Sequence, residues 1–181
     1  GSRGTLLTAP IYSDAGIPLV VPTATSGRLW EVGGWIFPMA PSDSVEAAFL
    51  GQVAVEGLKA TRIAVYFVNS AYGTGIRTEL DRWLAARELA PVDEVPYVIG
   101  ADLETLVEAP VRRSRPDLAV LVGRRIEVAR MAALLFDLDP SIRLLAADGA
   151  YDQLAELISE AGPAADSLYL TTFWVADQVS V

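Results

Sequence analysis

The sequence contains no cysteine and no histidine. Without thiols there is no disulfide and no thiol nucleophile; without imidazole the commonest general base and the usual zinc ligand are both missing. A serine–histidine–acid triad cannot be assembled, and no Gly-x-Ser-x-Gly stretch occurs. Lysine is almost absent too: Lys59 stands alone beside thirteen arginines, a bias that fits genomic base composition better than function. Long apolar runs are lacking. The longest, such as Ile17 to Pro22 and Leu118 to Val122, are strand-length and fall well short of the roughly 20 residues a membrane helix needs. No basic segment followed by an apolar one opens the chain, so no signal peptide is expected. A start at Gly1-Ser2 without methionine points to a trimmed chain.

Positive charge is scarce. The net charge is −9, with two bases against five acids in residues 1–58 and twelve against eighteen in residues 59–181. Duplex nucleic acid needs a basic footprint, so no nucleic-acid partner is expected. No glycine-rich phosphate loop with lysine occurs, and Gly73-Thr74-Gly75 lacks the rest of a dinucleotide fingerprint. Asp137 and Asp139 flank a helix end with no matching ligand set. Neither a cofactor nor a metal is therefore expected.

What is present is apolar material in an ordered alternation. The chain is 181 residues long and 52% hydrophobic, enough for one large or two small domains with a true core. Arg62 to Val68 is a near-continuous apolar, β-branched run, the pattern of a strand buried on both faces. It breaks into Asn69-Ser70-Ala71-Tyr72-Gly73-Thr74-Gly75, which reads as a glycine-containing loop, before a helical pattern over 76–89. Further strands are predicted over 95–99, 117–122, 142–146 and 167–173, with helices over 102–113, 125–137 and 151–161. Strands alternating with helices argue for a parallel α/β sheet covered on both faces. Residues 1–58 are sparser: a helix over 5–15, strands over 17–22 and 35–37, and a helix from about 43 to 58, N-capped within Pro41-Ser42-Asp43-Ser44. The expected division is a truncated first lobe over 1–58 and a second lobe over 59–181.

Several short motifs, in this order and spacing, carry a family resemblance. They are Ser2 with Ala9-Pro10-Ile11-Tyr12, Ala15-Gly16-Ile17-Pro18, Pro22-Thr23-Ala24-Thr25-Ser26, Trp35-Ile36-Phe37 and Pro41-Ser42-Asp43. Arg62-Ile63-Ala64-Val65, Ala71-Tyr72-Gly73-Thr74-Gly75, Arg115-Pro116-Asp117 and Ala147-Asp148-Gly149 complete the set. Together they resemble the type I periplasmic binding proteins, specifically the leucine/isoleucine/valine-binding proteins of ABC importers. The resemblance implies two doubly wound α/β lobes joined by a hinge and closing on a small ligand. On this reading the first lobe is incomplete, because a full member has further βα units before Gly1 and returns to the first lobe after Val181. It also implies that Ser2, Thr23 and Thr25 hold a ligand carboxylate, which suits hydroxyls and free N–H groups at a helix start or loop. Tyr72 matches a cleft aromatic, able to lie flat on a ligand and donate its hydroxyl, and Asp148 matches an acid that pairs with the ligand's ammonium.

Each of these residues has a plainer role available. Ser2 and the threonines suit caps and turns, Tyr72 could pack its loop onto the sheet, and Asp148 could cap the helix over 151–161. Arg124 is a departure from the family, whose transporters of aliphatic amino acids tend to carry an aromatic there. In a cleft it favours a ligand with a second anionic or carbonyl group; otherwise Arg124 and Arg125 are solvated residues of a first helical turn. Glu127, Glu156 and Glu160 are expected to face water, and Trp174 either walls the cleft or covers the core.

The function expected is non-enzymatic binding of an amino acid or similar small polar molecule, with an ABC permease as partner and an extracytoplasmic location. The alternative is a sensor module of the same fold, fused to a signalling domain and cytoplasmic. An enzyme on a Rossmann-like sheet is the third class, disfavoured by the missing His, Cys and cofactor motifs. An incomplete lobe exposes apolar surface, so a homodimer or domain swap is also expected.

Overall fold

The structure, a computed structural model, describes residues 1–173. Among the described residues seven strands and six α-helices follow one another: α1 (Ser2–Asp14), β1 (Leu19–Val21), β2 (Ile36–Pro38), α2 (Asp43–Gln52), β3 (Ile63–Val68), α3 (Ala71–Ala85), β4 (Asp93–Tyr97), α4 (Leu103–Ser114), β5 (Leu118–Val122), α5 (Arg125–Leu138), β6 (Arg143–Ala146), α6 (Leu154–Ala161) and β7 (Leu168–Leu170). Strands β1 and β2 form a parallel pair. The other five make a parallel sheet in the order β4-β3-β5-β6-β7.

The period of two along each strand assigns side chains to the two faces of that sheet. Ala64, Tyr66, Ala119, Leu121, Leu144 and Ala146 face one core, shared with Val107 of α4, Val128 and Met131 of α5 and Leu157 of α6. Their neighbours Ile63, Val65, Leu118, Val120, Val122 and Leu145 face the other, shared with Leu50 of α2 and with Ile76, Leu80 and Leu84 of α3. A continuous apolar run is what a strand needs when both its faces are covered, and this is the doubly wound, helix-covered sheet that the sequence pattern predicts.

Two elements differ from the sequence reading. The predicted glycine loop before residue 76 is the first turn of α3, whose N-cap Ser70 accepts a hydrogen bond from the Gly73 amide at 3.2 Å. Gly73 is required by crowding: a Cβ there would strike the Val68 carbonyl, so the helix start can lie directly against the strand end. The second difference concerns α2. Ala47 and Leu50, with Ala54 just beyond the helix, pack into the core of the five-stranded sheet, while the two-stranded sheet has a separate small core of Ala9, Val21, Ala24, Leu29 and Ile36. Packing therefore groups α2 with the larger sheet. Trp174 and the predicted end of the chain lie outside the described residues.

The motif Arg115-Pro116-Asp117 is structural. Asp117 accepts hydrogen bonds from the Thr61 amide and hydroxyl at 2.9 and 2.7 Å and from the Arg62 amide at 3.1 Å, which ties the starts of β3 and β5 together. Burial alone would push its carboxyl up, but these donors and Arg143 outweigh it and hold the group below the usual range.

Candidate ligand-binding site

Strand β3 has β4 on one side and β5 on the other, so the order of connection reverses there. Ligands in open α/β sheets bind in the crevice beyond the carboxyl ends of the strands at such a reversal. A cleft of about 470 Å³ opens at this point. Its walls include Val68 and Ser70 after β3, Tyr72 at the start of α3, Gly123 and Arg124 after β5, and Asp148 and Gly149 after β6. Facing them are Ser2, Arg3 and Gly4 of α1 and Thr23 and Thr25 from the loop after β1. All six residues singled out in the sequence line this one cleft: Ser2, Thr23 and Thr25 from the smaller sheet's side, Tyr72, Arg124 and Asp148 from the larger's.

The chemistry of each is now specific. Ser2 is buried in the first turn of α1, whose N-cap is Gly1, so it is not a capping serine. Thr25 is buried beside Asp43, and its carbonyl accepts the Asp43 amide at 2.7 Å. The Tyr72 hydroxyl donates to Asp148 Oδ1 at 2.6 Å and accepts from the Gly149 amide at 3.1 Å. Its single proton is thus committed to Asp148. Burial, reinforced by the neighbouring Glu46 and Asp148 carboxyl groups, pushes the phenol well above its usual range and keeps it protonated. Asp148 caps no helix: a short 3-10 turn runs from Asp148 to Ala150, and α6 starts only at Leu154. The adjacent arginines diverge. Arg125 is mostly buried and pairs with Glu156 at 3.1 Å and Glu160 at 2.7 Å, so those glutamates tie α6 to α5 where the sequence suggested free surface charges. Arg124 is exposed at the cleft wall.

Beneath the cleft lies a pair of acids at the start of α2, Asp43 and Glu46. Glu46 is 8% exposed, and its Oε1 accepts the Asp148 amide at 2.6 Å. Burial first, then the neighbouring Asp148 carboxyl, pushes Glu46 up to about 9, so it carries its proton at neutral pH. Asp43, also buried, is pushed up to about 6 by desolvation, partly offset by Thr25. Glu46 and Asp148 are 102 residues apart. No local pattern in the sequence signals their meeting; a Ser-x-x-x-Glu spacing at a helix start reads only as capping and dipole compensation. Among the described residues no cluster of acids, His or Cys has the makings of a metal site, and no helix is long and apolar enough to cross a membrane.

A sequence profile of the family described as periplasmic binding protein matches residues 1–180. The chain belongs to that family. The periplasmic binding protein fold is seen in solved structures with similar backbones. The leucine-binding protein LivK of Thermotoga maritima superposes with a TM-score of 0.90 at 22% identity, covering 99% of this chain and 51% of that one. The substrate-binding protein LivJ of Streptococcus pneumoniae, in complex with isoleucine, gives 0.80 at 22% identity with the same coverage. A solute-binding protein of an ABC transporter from Rhodopseudomonas palustris, in complex with 3,4-dihydroxybenzoic acid, gives 0.76 at 16% identity, covering 90% and 45%. The chain thus spans about half the length of the solved structures it matches. No curated protein sequence matches significantly.

Proposed function

We propose that this chain is the ligand-gripping part of a solute-binding protein that takes up an amino acid or similar small polar molecule without chemical change and delivers it to an ABC permease outside the cytoplasm. One observation carries the reading. Hydroxyls from the smaller sheet's side (Ser2, Thr23, Thr25) and an aromatic, a base and an acid from the larger's (Tyr72, Arg124, Asp148) converge on a single cleft at the sheet's reversal point. Ser2 near the amino end of α1, with the hydroxyl loop beside it, suits a carboxylate. Asp148, oriented by the committed Tyr72 proton, suits an ammonium group. The Tyr72 ring covers the carbon skeleton between them, and closure of the two sides shields these contacts from water.

The test is calorimetric titration and thermal shift of the chain with a panel of free amino acids and small carboxylates. A native-state ligand raises the unfolding midpoint by mass action. Asp148→Asn removes the charge that meets the ammonium, and affinity is expected to fall by at least about tenfold, the loss of one charge-assisted hydrogen bond. Absence of any shift, or a shift indifferent to Asp148→Asn, would sink the reading.

A further inference from the structure

Two guanidinium groups stand in the cleft wall on opposite sides, Arg3 on α1 and Arg124 at the start of α5. Arg77, Arg82, Arg112, Arg113, Arg125 and Arg143 each have a carboxylate partner. The guanidinium groups of Arg3 and Arg124 have neither an ion pair nor a hydrogen bond to any described residue, and both residues are exposed. Among the described residues the only acidic side chain in the same wall is Asp148. Glu46 lies behind it and holds its own proton, so it adds no compensating charge. In a chain of net charge −9 the cleft's side chains therefore carry a formal excess of one positive charge.

We infer that the ligand is an amino dicarboxylate, an α-amino acid with an acidic side chain, whose second carboxylate is held by Arg124. This rests on the proposed reading of the cleft as an amino-acid site. The charges match group by group. Such a ligand has one ammonium for Asp148 and two carboxylates for the positive and hydroxyl-bearing walls, and its net charge of −1 cancels the cleft's excess. One carboxylate meets Ser2, Thr23 and Thr25 with Arg3 beside them on α1, and the other reaches the fork of Arg124. Ile99, exposed in the same wall, supplies an apolar surface for the methylene groups between. A ligand with an aliphatic side chain is neutral overall. Closing over it would trap Arg124 away from water without a partner, and a desolvated unpaired charge is among the costliest arrangements in a protein. An aromatic carboxylate satisfies one arginine but turns its ring toward Asp148 without an ammonium to meet that acid.

The experiment is calorimetric titration of the 181-residue chain with L-glutamate, L-aspartate, L-leucine and 4-hydroxybenzoate, repeated on Arg124→Ala and Arg124→Lys. The expected result is binding of an acidic amino acid at least about tenfold tighter than leucine, a preference worth one charge-assisted contact. Arg124→Ala should remove that preference, and Arg124→Lys should restore part of it, because a point charge replaces the fork. The Arg124 side chain makes no cap hydrogen bond to α5, so its truncation is not expected to unfold the chain, and unchanged thermal midpoints without ligand check this. Leucine binding as tightly as glutamate, with no response to Arg124→Ala, overturns the inference and leaves the amino-acid reading standing. Binding of 4-hydroxybenzoate alone overturns both, and so does binding of nothing in the set.

Discussion

In β3 every side chain from Ile63 to Val68 is buried, whereas in β1 Val20 is 61% exposed and in β2 Phe37 is 45% exposed. The two sheets are built from similar apolar runs and both pair in parallel. What separates them is cover. Helices lie on both faces of the larger sheet, while the smaller one buries Val21 and Ile36, with Leu19 partly buried beside them, against Ala9, Ala24 and Leu29. Exposed Leu7, Ile11, Ile17, Trp35 and Met39 continue the uncovered surface around it. A parallel strand's continuous hydrophobicity makes sense only when two layers sandwich it. The smaller sheet therefore presents the strand chemistry of a covered sheet while leaving Val20 and Phe37 exposed.

This contrast can be broken most sharply in the cores. Leu121 is fully buried in β5 between α4 and α5, so Leu121→Ala should destabilise the chain by about 2–5 kcal/mol, the transfer term plus a cavity that the sandwich cannot collapse. Phe37→Ala, despite deleting a larger side chain, should cost less than about 1 kcal/mol, because half of that ring is already wet. Chemical denaturation of both variants measures the difference, and equal losses would mean that the outer face of β2 is covered in solution.

The next largest effect concerns Glu46. Its carboxyl titrates near 4.5 in the unfolded chain and near 9 in the folded one. The folded state thus holds the proton more tightly. The stability linked to it is complete below pH 4.5 and drains away as pH rises through about 9. Glu46→Gln keeps an acceptor for the Asp148 amide and removes the titration. The variant should gain on the parent as pH rises from 5 to 8, by an amount on the order of 1–3 kcal/mol once coupling to Asp148 is allowed for. Urea unfolding at the two pH values reads it, and a difference independent of pH would show that Glu46 ionises freely.

A smaller effect separates the start of α3 from that of α2. Ser70 accepts the Gly73 amide through its side chain, so Ser70→Ala should cost about 1 kcal/mol. At α2 the Ser42 hydroxyl makes no cap bond and instead contacts Ser44 at 2.8 Å, so Ser42→Ala should cost only a few tenths. Thermal midpoints of the pair would settle which serine is a cap.

How far the sequence could be read follows the same physics. The larger sheet was legible because its central strands β3 and β5 are buried on both faces and the helices repeat an apolar side, signals that reside in adjacent residues. The start of α3 was not, because Gly73 and Gly75 look like a loop, and only the proximity of the Val68 carbonyl and the Asp43 side chain explains glycine inside a helix. The gathering of Ser2, Thr23, Thr25, Tyr72, Arg124 and Asp148 followed from strand ends and from family likeness. The role of the Tyr72 proton and of Glu46 did not, since both depend on contacts 76 and 102 residues away. Arg125 likewise looked like its neighbour Arg124 until α6 was seen to lie against it.

One oxygen atom, Glu46 Oε1, accepts the Asp148 amide at 2.6 Å and lies 3.4 Å from the Thr171 hydroxyl, which is nearer the Ala146 carbonyl at 3.1 Å. Helix α2 is the first element after the crossing from the smaller sheet, and Thr171 stands just past the last strand of the larger one. The atom acts as a pin through a linkage, with three distant stretches of chain hung on it. Any tilt of α2 exerts a torque on the turn that presents Asp148. The aim of that carboxylate is thereby set by the angle of a helix that lines no part of the cleft.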